Sequence, residues 1–163
     1  MARVQIRADH IELDDPVLVE GLPGAGLVGK IAADHLVDTL NMEYYGAFHC
    51  DGLPQVAVYE GDSSAVRPPV RLYADEATDL LVLQSDVPVS PTQAPEFGSS
   101  LTGWLDGNDI LPLYLSGLPE EKDGLPEMYG IATGEAESVL DEAGIAKPTS
   151  GGLVSGPTGA LLH

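Results

Sequence analysis

Positive charge is what this sequence lacks most. Against 26 Asp and Glu there are only 7 Lys and Arg, a formal net charge of −19 over 163 residues. So few cations cannot form a phosphate-tracking patch, which excludes non-specific nucleic-acid binding. Cysteine is reduced to Cys50. No internal disulfide can form, and a cytoplasmic setting is expected. No run approaches the roughly 18 apolar residues that a membrane helix needs. The segment Met1-Ala2-Arg3-Val4-Gln5-Ile6-Arg7 has no long apolar stretch of the secretory kind. A soluble intracellular protein is the expectation. The chain also has no G-x-S-x-G nucleophile elbow around any serine. His10, His35, His49 and His163 show no metal-ligand spacing. His49, Cys50 and Asp51 are consecutive, so on a strand they alternate faces and cannot share one metal. No catalytic residue, metal or cofactor is assigned.

The acids run from Asp9 to Glu142 and do not gather in a tail. An even spread marks a whole surface of one sign, which repels itself in dilute buffer and is screened within about 3 Å at 1 M salt. With only three lysines, the composition reads as salt-adapted; an acidic mesophilic protein is the plainer alternative. Apolar residues make up 44% of the chain, enough for a core. One domain over residues 1–163 is expected.

Val4–Ile6 reads as a short edge strand and Val17–Val19 as a buried strand running into Gly21-Leu22-Pro23-Gly24-Ala25-Gly26. Beyond the glycines, Leu27, Val28, Ile31, Leu36, Val37 and Leu40 recur at helical spacing, with Lys30, Asp34 and Asp38 on the opposite, wet face. Strands are expected over 44–50, 55–59, 70–73, 80–84, 110–115, 129–132 and 151–156. Turn chemistry at Asp51-Gly52-Leu53-Pro54 separates the first two of these. Helices are expected over 95–105 and 134–143, with an acidic loop over 119–127 and a first helical turn at 157–162. Alternating strands and helices predict an α/β fold, and strand pairs without an intervening helix predict a mixed sheet.

Gly24-Ala25-Gly26-Leu27-Val28-Gly29-Lys30-Ile31 fits two ligand patterns at once. Gly24, Gly26 and Gly29 match the dinucleotide fingerprint G-x-G-x-x-G, and Gly24 to Lys30 matches the body of a P-loop. The P-loop needs a hydroxyl next, to hold magnesium, and Ile31 has none. Asp86, after Leu80-Leu81-Val82-Leu83, is the one residue resembling a Walker-B acid. A ribose-binding acid belongs at the end of the second strand, whereas Glu43 begins it. Three readings stay open: a tight turn with close packing beneath it, nucleotide or phosphate binding, and contact with another protein. The candidate functional loop comprises Gly21, Pro23, Gly24, Gly26, Gly29 and Lys30.

The stretch Pro16-Val17-Leu18-Val19-Glu20-Gly21-Leu22-Pro23-Gly24-Ala25-Gly26-Leu27-Val28-Gly29-Lys30-Ile31 resembles the hallmark of the PAC2 family. The regions Leu80–Ser85 and Gly151–Leu162 are similar to it as well. The resemblance implies a layered α/β/α sandwich of the phosphorylase/hydrolase-like kind, and a homo-oligomer. It also implies association, as a proteasome-assembly-chaperone-like protein, with α-type subunits of the core proteasome. Together with the charge, it points to an archaeal member from a high-salt cytoplasm. Some relatives carry an ATP-grasp label, which keeps a nucleotide-binding protein or a phosphorylase/hydrolase-like enzyme as the alternatives. Some archaeal members end in a hydrophobic-Tyr-any-residue tail, whereas this chain ends Leu161-Leu162-His163. Either its C-terminal part is missing or it docks by a face.

Stability is expected to rise steeply from tens of millimolar to molar salt, because screening relieves the repulsion of a −19 chain. Melting curves across that range check this; a flat response refutes salt adaptation.

Overall fold

The computed structural model describes residues 3–51, 53–59, 61, 63–118, 124–134 and 136–163. Gly52 of the expected turn, residues 119–123 of the expected acidic loop and Glu135 of the helix expected over 134–143 lie outside them. The chain divides into two compact units, residues 1–118 with 154–163, and residues 119–153.

The first unit is organised by a six-stranded sheet of β1 (Arg3–Ile6), β2 (Val17–Gly21), β3 (Glu43–His49), β6 (Val70–Asp75), β7 (Leu80–Ser85) and β8 (Leu111–Tyr114), in the order β1-β3-β6-β7-β2-β8. The β1, β3, β6 and β7 neighbours pair antiparallel, whereas β2 runs parallel to both β7 and β8. The sheet is mixed because β6 and β7 are joined by a short turn, while α1 and strands β3 to β6 intervene between β2 and β7 and a helix lies between β7 and β8. The expected strand over 55–59 shrinks to β4 (Val58–Tyr59), which pairs with β5 (Val66–Arg67) in a separate two-stranded ladder.

Strand alternation sorts the core into two faces. Leu18, Leu72, Leu81 and Leu83 face one side, where they pack with Phe97, Leu101 and Leu105 of α2 (Ala94–Asp106) and Leu161 of α4 (Gly156–Leu162). The three α2 residues repeat every four positions, Pro95 opens that helix where its missing N–H is harmless, and Gly107 follows its end. Phe48 meets Phe97 edge-on, with ring centroids 4.8 Å apart. Val19, Tyr73 and Val82 face the other side, with Met42 and with Ala33 of α1 (Val28–Thr39). The result is a three-layer α/β/α sandwich.

Several expectations change. Leu27, Val28, Ile31 and Leu40 were expected on the buried face of the first helix, yet they are 49%, 43%, 63% and 36% exposed. The buried contacts of α1 are instead Gly29 and Ala33, with Leu36 and Val37 partly covered. Small residues win there because the helix lies so close to the sheet. A Cβ on Gly21 would collide with the Ala33 methyl and sit 2.8 Å from the Leu83 carbonyl oxygen. One on Gly29 would lie 3.1 Å from the Glu20 carbonyl oxygen. The segment 151–156 forms no ladder, since Gly151 and Gly152 offer no side chain to pack. The first turn expected at 157–162 is a helix, α4, whose Gly98 contact sets it against α2: a Cβ on Gly98 would lie 3.0 Å from the Ala160 carbonyl oxygen.

In the second unit, α3 (Ala136–Glu142) takes the place of the expected helix over 134–143. The strand expected over 129–132 reduces to one parallel bridge, Tyr129 with Ala146, in which the Gly130 N–H donates to the Ala146 carbonyl at 2.9 Å. Without a neighbouring ladder Ile131 is 81% exposed, so alternation there buries nothing.

The close crossing makes the glycines unequal. Gly21→Ala is expected to cost roughly 1–3 kcal/mol through overpacking. Gly26→Ala should cost about 1 kcal/mol, because φ is +66° there. Gly24→Ala, extended and with no atom nearer than 3.9 Å, should change stability by less than about 0.5 kcal/mol. Urea unfolding of the three variants checks the ranking, and equal losses would contradict it.

Candidate functional site

The carboxyl end of β2 runs into the glycine turn, and the turn opens α1. Gly24 is extended, Ala25–Leu27 makes one turn of 3-10 helix closed by the Leu27 N–H to the Gly24 carbonyl at 3.0 Å, and Gly26 is left-handed. Leu27 is left-handed too, at φ +55°, which is uncommon for a branched alkyl residue. Gly24, Ala25, Gly26 and Leu27 are all exposed, Pro23 is half-buried, and Gly21 and Gly29 are buried under the helix crossing. The three fingerprint glycines therefore do different work: Gly29 allows close packing, Gly26 supplies a positive φ, and Gly24 is conformationally ordinary.

Lys30 points away from the turn. Its Nζ lies 2.8 Å from Asp34 and 3.4 Å from Asp86. Asp86 also receives the Arg71 guanidinium at 2.6 Å. Gln84 closes the ring by accepting from Arg71 at 2.8 Å and donating to Asp34 at 2.7 Å. The lysine of the P-loop pattern and the Walker-B-like acid are thus bound to each other. Lys30 and Asp34, expected on a wet face, tie α1 to the ends of β6 and β7, whereas Asp38 is exposed. Arg71 is buried, its side chain only 4% exposed. Burial works against its charge, but Asp86 and Tyr73 outweigh that and hold the guanidinium above its ordinary range.

On the opposite face of the sheet, Glu20 is completely buried. Its Oε1 accepts from the Leu22 N–H at 2.6 Å and its Oε2 from the Thr158 hydroxyl at 3.0 Å. The carboxylate thereby joins the glycine turn to α4. Burial pushes its pKa up to about 7, against the lowering pull of those two hydrogen bonds. Tyr114, its register partner on β8, is also shifted up, by burial and then by the Glu20 charge.

Among the candidate loop residues, then, only Lys30 joins a polar cluster. Glu20, Arg71 and Gln84 were not singled out from the sequence. Glu20 carried one usable signal, an acid directly after the apolar run Val17-Leu18-Val19 and before the glycine turn. Arg71 and Gln84 looked like ordinary strand residues, since their meeting depends on register between β6 and β7. Glu43 begins β3 and pairs with His10 at 3.0 Å, so it stands at the start of its strand, away from a ribose-acid position. Among the described residues, no three His, Cys, Asp or Glu side chains converge as a metal site. No helix of the described residues is long and apolar enough to cross a membrane.

These features define a mixed-sheet α/β sandwich with a glycine turn at the carboxyl end of β2 and two internal polar clusters, one on each face of the sheet. The chain belongs to the PAC2 family, whose model matches residues 18–163. An uncharacterised protein of Methanocaldococcus jannaschii is 33% identical over 154 residues, covering 93% of this chain and 61% of its own length. Proteasome assembly chaperone 2 of Danio rerio is 30% identical over 93 residues, 53% of this chain and 35% of the relative. The fold matches that of Pyrococcus furiosus PbaA, an archaeal homolog of proteasome-assembly chaperone, with TM-score 0.80 and 25% identity over 99% of this chain and 69% of that one. The chain spans about three-fifths of the length of the archaeal curated relative, 61%.

Glu20 makes a pH prediction. Its folded pKa, about 7, is above the ordinary 4.5, so the folded state holds the proton more tightly. The stability this gives is complete below about pH 4.5 and is lost as pH rises through 7. Relative to the wild type, Glu20→Gln should gain on the order of 3 kcal/mol between pH 5 and pH 8. Urea unfolding of both proteins at the two pH values measures it. A difference that does not move with pH would rule out a neutral Glu20.

Proposed function

We propose that this chain is a proteasome-assembly-chaperone-like binding protein that engages α-type subunits of the core proteasome. The observation that carries the reading is the match to PbaA over 99% of the chain, joined to membership of the PAC2 family. The contact is made by a face. Leu27, Val28 and Ile31 display large apolar groups at the start of α1. Leu111 and Leu113 of the edge strand β8 are also exposed, and they share the α1 side of the sheet because they pair with Val17 and Val19. In this reading the glycine turn, from Gly21 to Lys30, serves to hold Leu27 in its left-handed conformation and present it. Backbone strain kept at an exposed apolar residue is consistent with a contact role. On so acidic a protein, in strong salt, affinity comes from buried apolar area, since exposed charge pairs contribute little. The chain acts as a homo-oligomer in a cytoplasmic setting.

The test is capture of purified α-type subunits at molar salt. The wild type should capture them, and Leu27→Asp with Ile31→Asp should lose most of the capture while melting as before, because both side chains are largely exposed. Light scattering gives the oligomeric state. If the wild type captures no subunit while turnover of a small molecule appears, the chaperone reading fails and an enzyme of the nucleotide-binding or phosphorylase/hydrolase-like kind replaces it.

A further inference from the structure

A buried carboxylate is ordinarily paired with a cation. Among the described residues Glu20 is the only buried acid, and burial and two hydrogen bonds are the forces on it, with no Lys, Arg or His beside it. It faces the α2 and α4 side of the sheet, where its register partners are Leu83 on β7 and Tyr114 on β8. Phe97, Leu101 and Leu105 of α2 share one apolar cluster with Leu83. The residues of α4, Gly156-Pro157-Thr158-Gly159-Ala160-Leu161-Leu162, include no ionisable side chain, and His163 beyond them is exposed. Tyr114 is therefore the titratable neighbour, its phenol held neutral by burial and by the charges of Glu20 and Asp106. On the opposite face α1 carries Lys30, which is taken up by Asp34 and Asp86. Once Glu20 ionises, no described cation on its own face answers it.

A charge so placed is relieved by water, and water reaches it only if an element covering it moves. The Leu22 N–H is two residues away and travels with the strand. β7 and β8 are tied to β2 along the ladder. Thr158 is different, since its hydroxyl reaches Glu20 from α4, 138 positions along the chain. α4 has seven residues, too few to hold a helix in water unaided, and no side-chain hydrogen bond caps its start. Residues 154 and 155, which lead into it, form no ladder. Packing alone holds it, through buried Pro157 and Leu161 and through Ala160 against Gly98 of α2.

We infer that Glu20 and Thr158 form a proton-operated latch: α4 lies closed while Glu20 is protonated, and loss of the proton lets α4 lift, giving water access to the carboxylate and uncovering the Gly98 face of α2. With the proton in place, two neutral groups share one hydrogen bond. After ionisation a bare charge stands in an apolar layer, and the opened state hydrates it. The closed form holds the proton up to about pH 7, against 4.5 for the free group. Closure is thus complete below about pH 4.5, weakens as pH rises towards 7 and levels off above it. The Leu27–Ile31 surface belongs to α1 on the other face, so the latch does not depend on capture of a partner there.

Hydrogen exchange of the full chain tests it, read by mass spectrometry on peptides from α4, β6 and β7 at pH 5 and pH 8 and corrected for the intrinsic rate. Protection of α4 should be about fiftyfold lower at pH 8 than at pH 5. At pH 8, α4 should exchange about tenfold or more faster than β6 and β7, and low urea should speed the two strands but not α4. Glu20→Gln, which cannot ionise, should keep α4 equally protected at both pH values. Thr158→Val keeps the bulk but removes the hydroxyl, and should lower α4 protection at both. If α4 exchanges together with β6 and β7 in rate and in urea response, the chain opens only as a whole and there is no latch. Equal loss of α4 protection in the wild type and Glu20→Gln, or unchanged protection in Thr158→Val, likewise overturns the proposal.

Discussion

The close crossing of α1 over β2 is the constraint on which the rest depends. Gly21 and Ala33 meet with no room for another methyl, and Gly29 rests on the Glu20 carbonyl. A helix set this low has only small residues beneath it. Its larger side chains are turned to the flanks or outward, which is why Leu27, Val28 and Ile31 reach the surface and Lys30 and Asp34 reach toward β6 and β7. The turn that feeds the helix must rise steeply from the strand, and two consecutive left-handed residues, Gly26 and Leu27, accomplish that.

Among the buried polar residues of this sandwich are Glu20 and Arg71, one on each face of the sheet. Glu20 on β2 and Arg71 on β6 are both buried, and each links segments distant in the chain. Glu20 joins the glycine turn to Thr158, 138 positions away, and the Arg71 network joins β6 to α1 through Gln84 and Asp34, 50 positions apart. Burying such groups is unfavourable unless their partners are in place, so they specify which segments meet more than they add to stability. Their short hydrogen bonds are also less exposed to salt than surface pairs. On a chain of charge −19, interior contacts of this kind hold where surface attraction is screened.

The same arrangement bears on how PAC2 members relate to their look-alikes. The glycine pattern of this chain satisfies two ligand motifs on paper, yet its backbone approaches its own strand and its lysine approaches its own aspartates. A motif of spacing alone does not distinguish a glycine needed for a phosphate from one needed for a neighbouring helix. Here the close neighbours of Gly21 and Gly29 are protein atoms, and Lys30 is held by Asp34 and Asp86.

What the sequence determined by itself was local. The periodicities of Val17–Gly21, Leu80–Ser85 and Ala94–Asp106 were strong enough to place β2, β7 and α2, and Ile31 after Lys30 was enough to question the P-loop. Interval and composition carry such signals because they arise from neighbours along one element. The faces of α1, the fate of residues 129–132 and 151–156, and the meeting of Arg71, Gln84, Asp86 and Lys30 were decided only in the folded chain. A strand exists only if a partner is present to pair with it, and an apolar residue is buried only if something covers it. Both conditions are set by the register between distant segments and by how low one helix can lie on a sheet, and no pattern of spacing along the chain contains either.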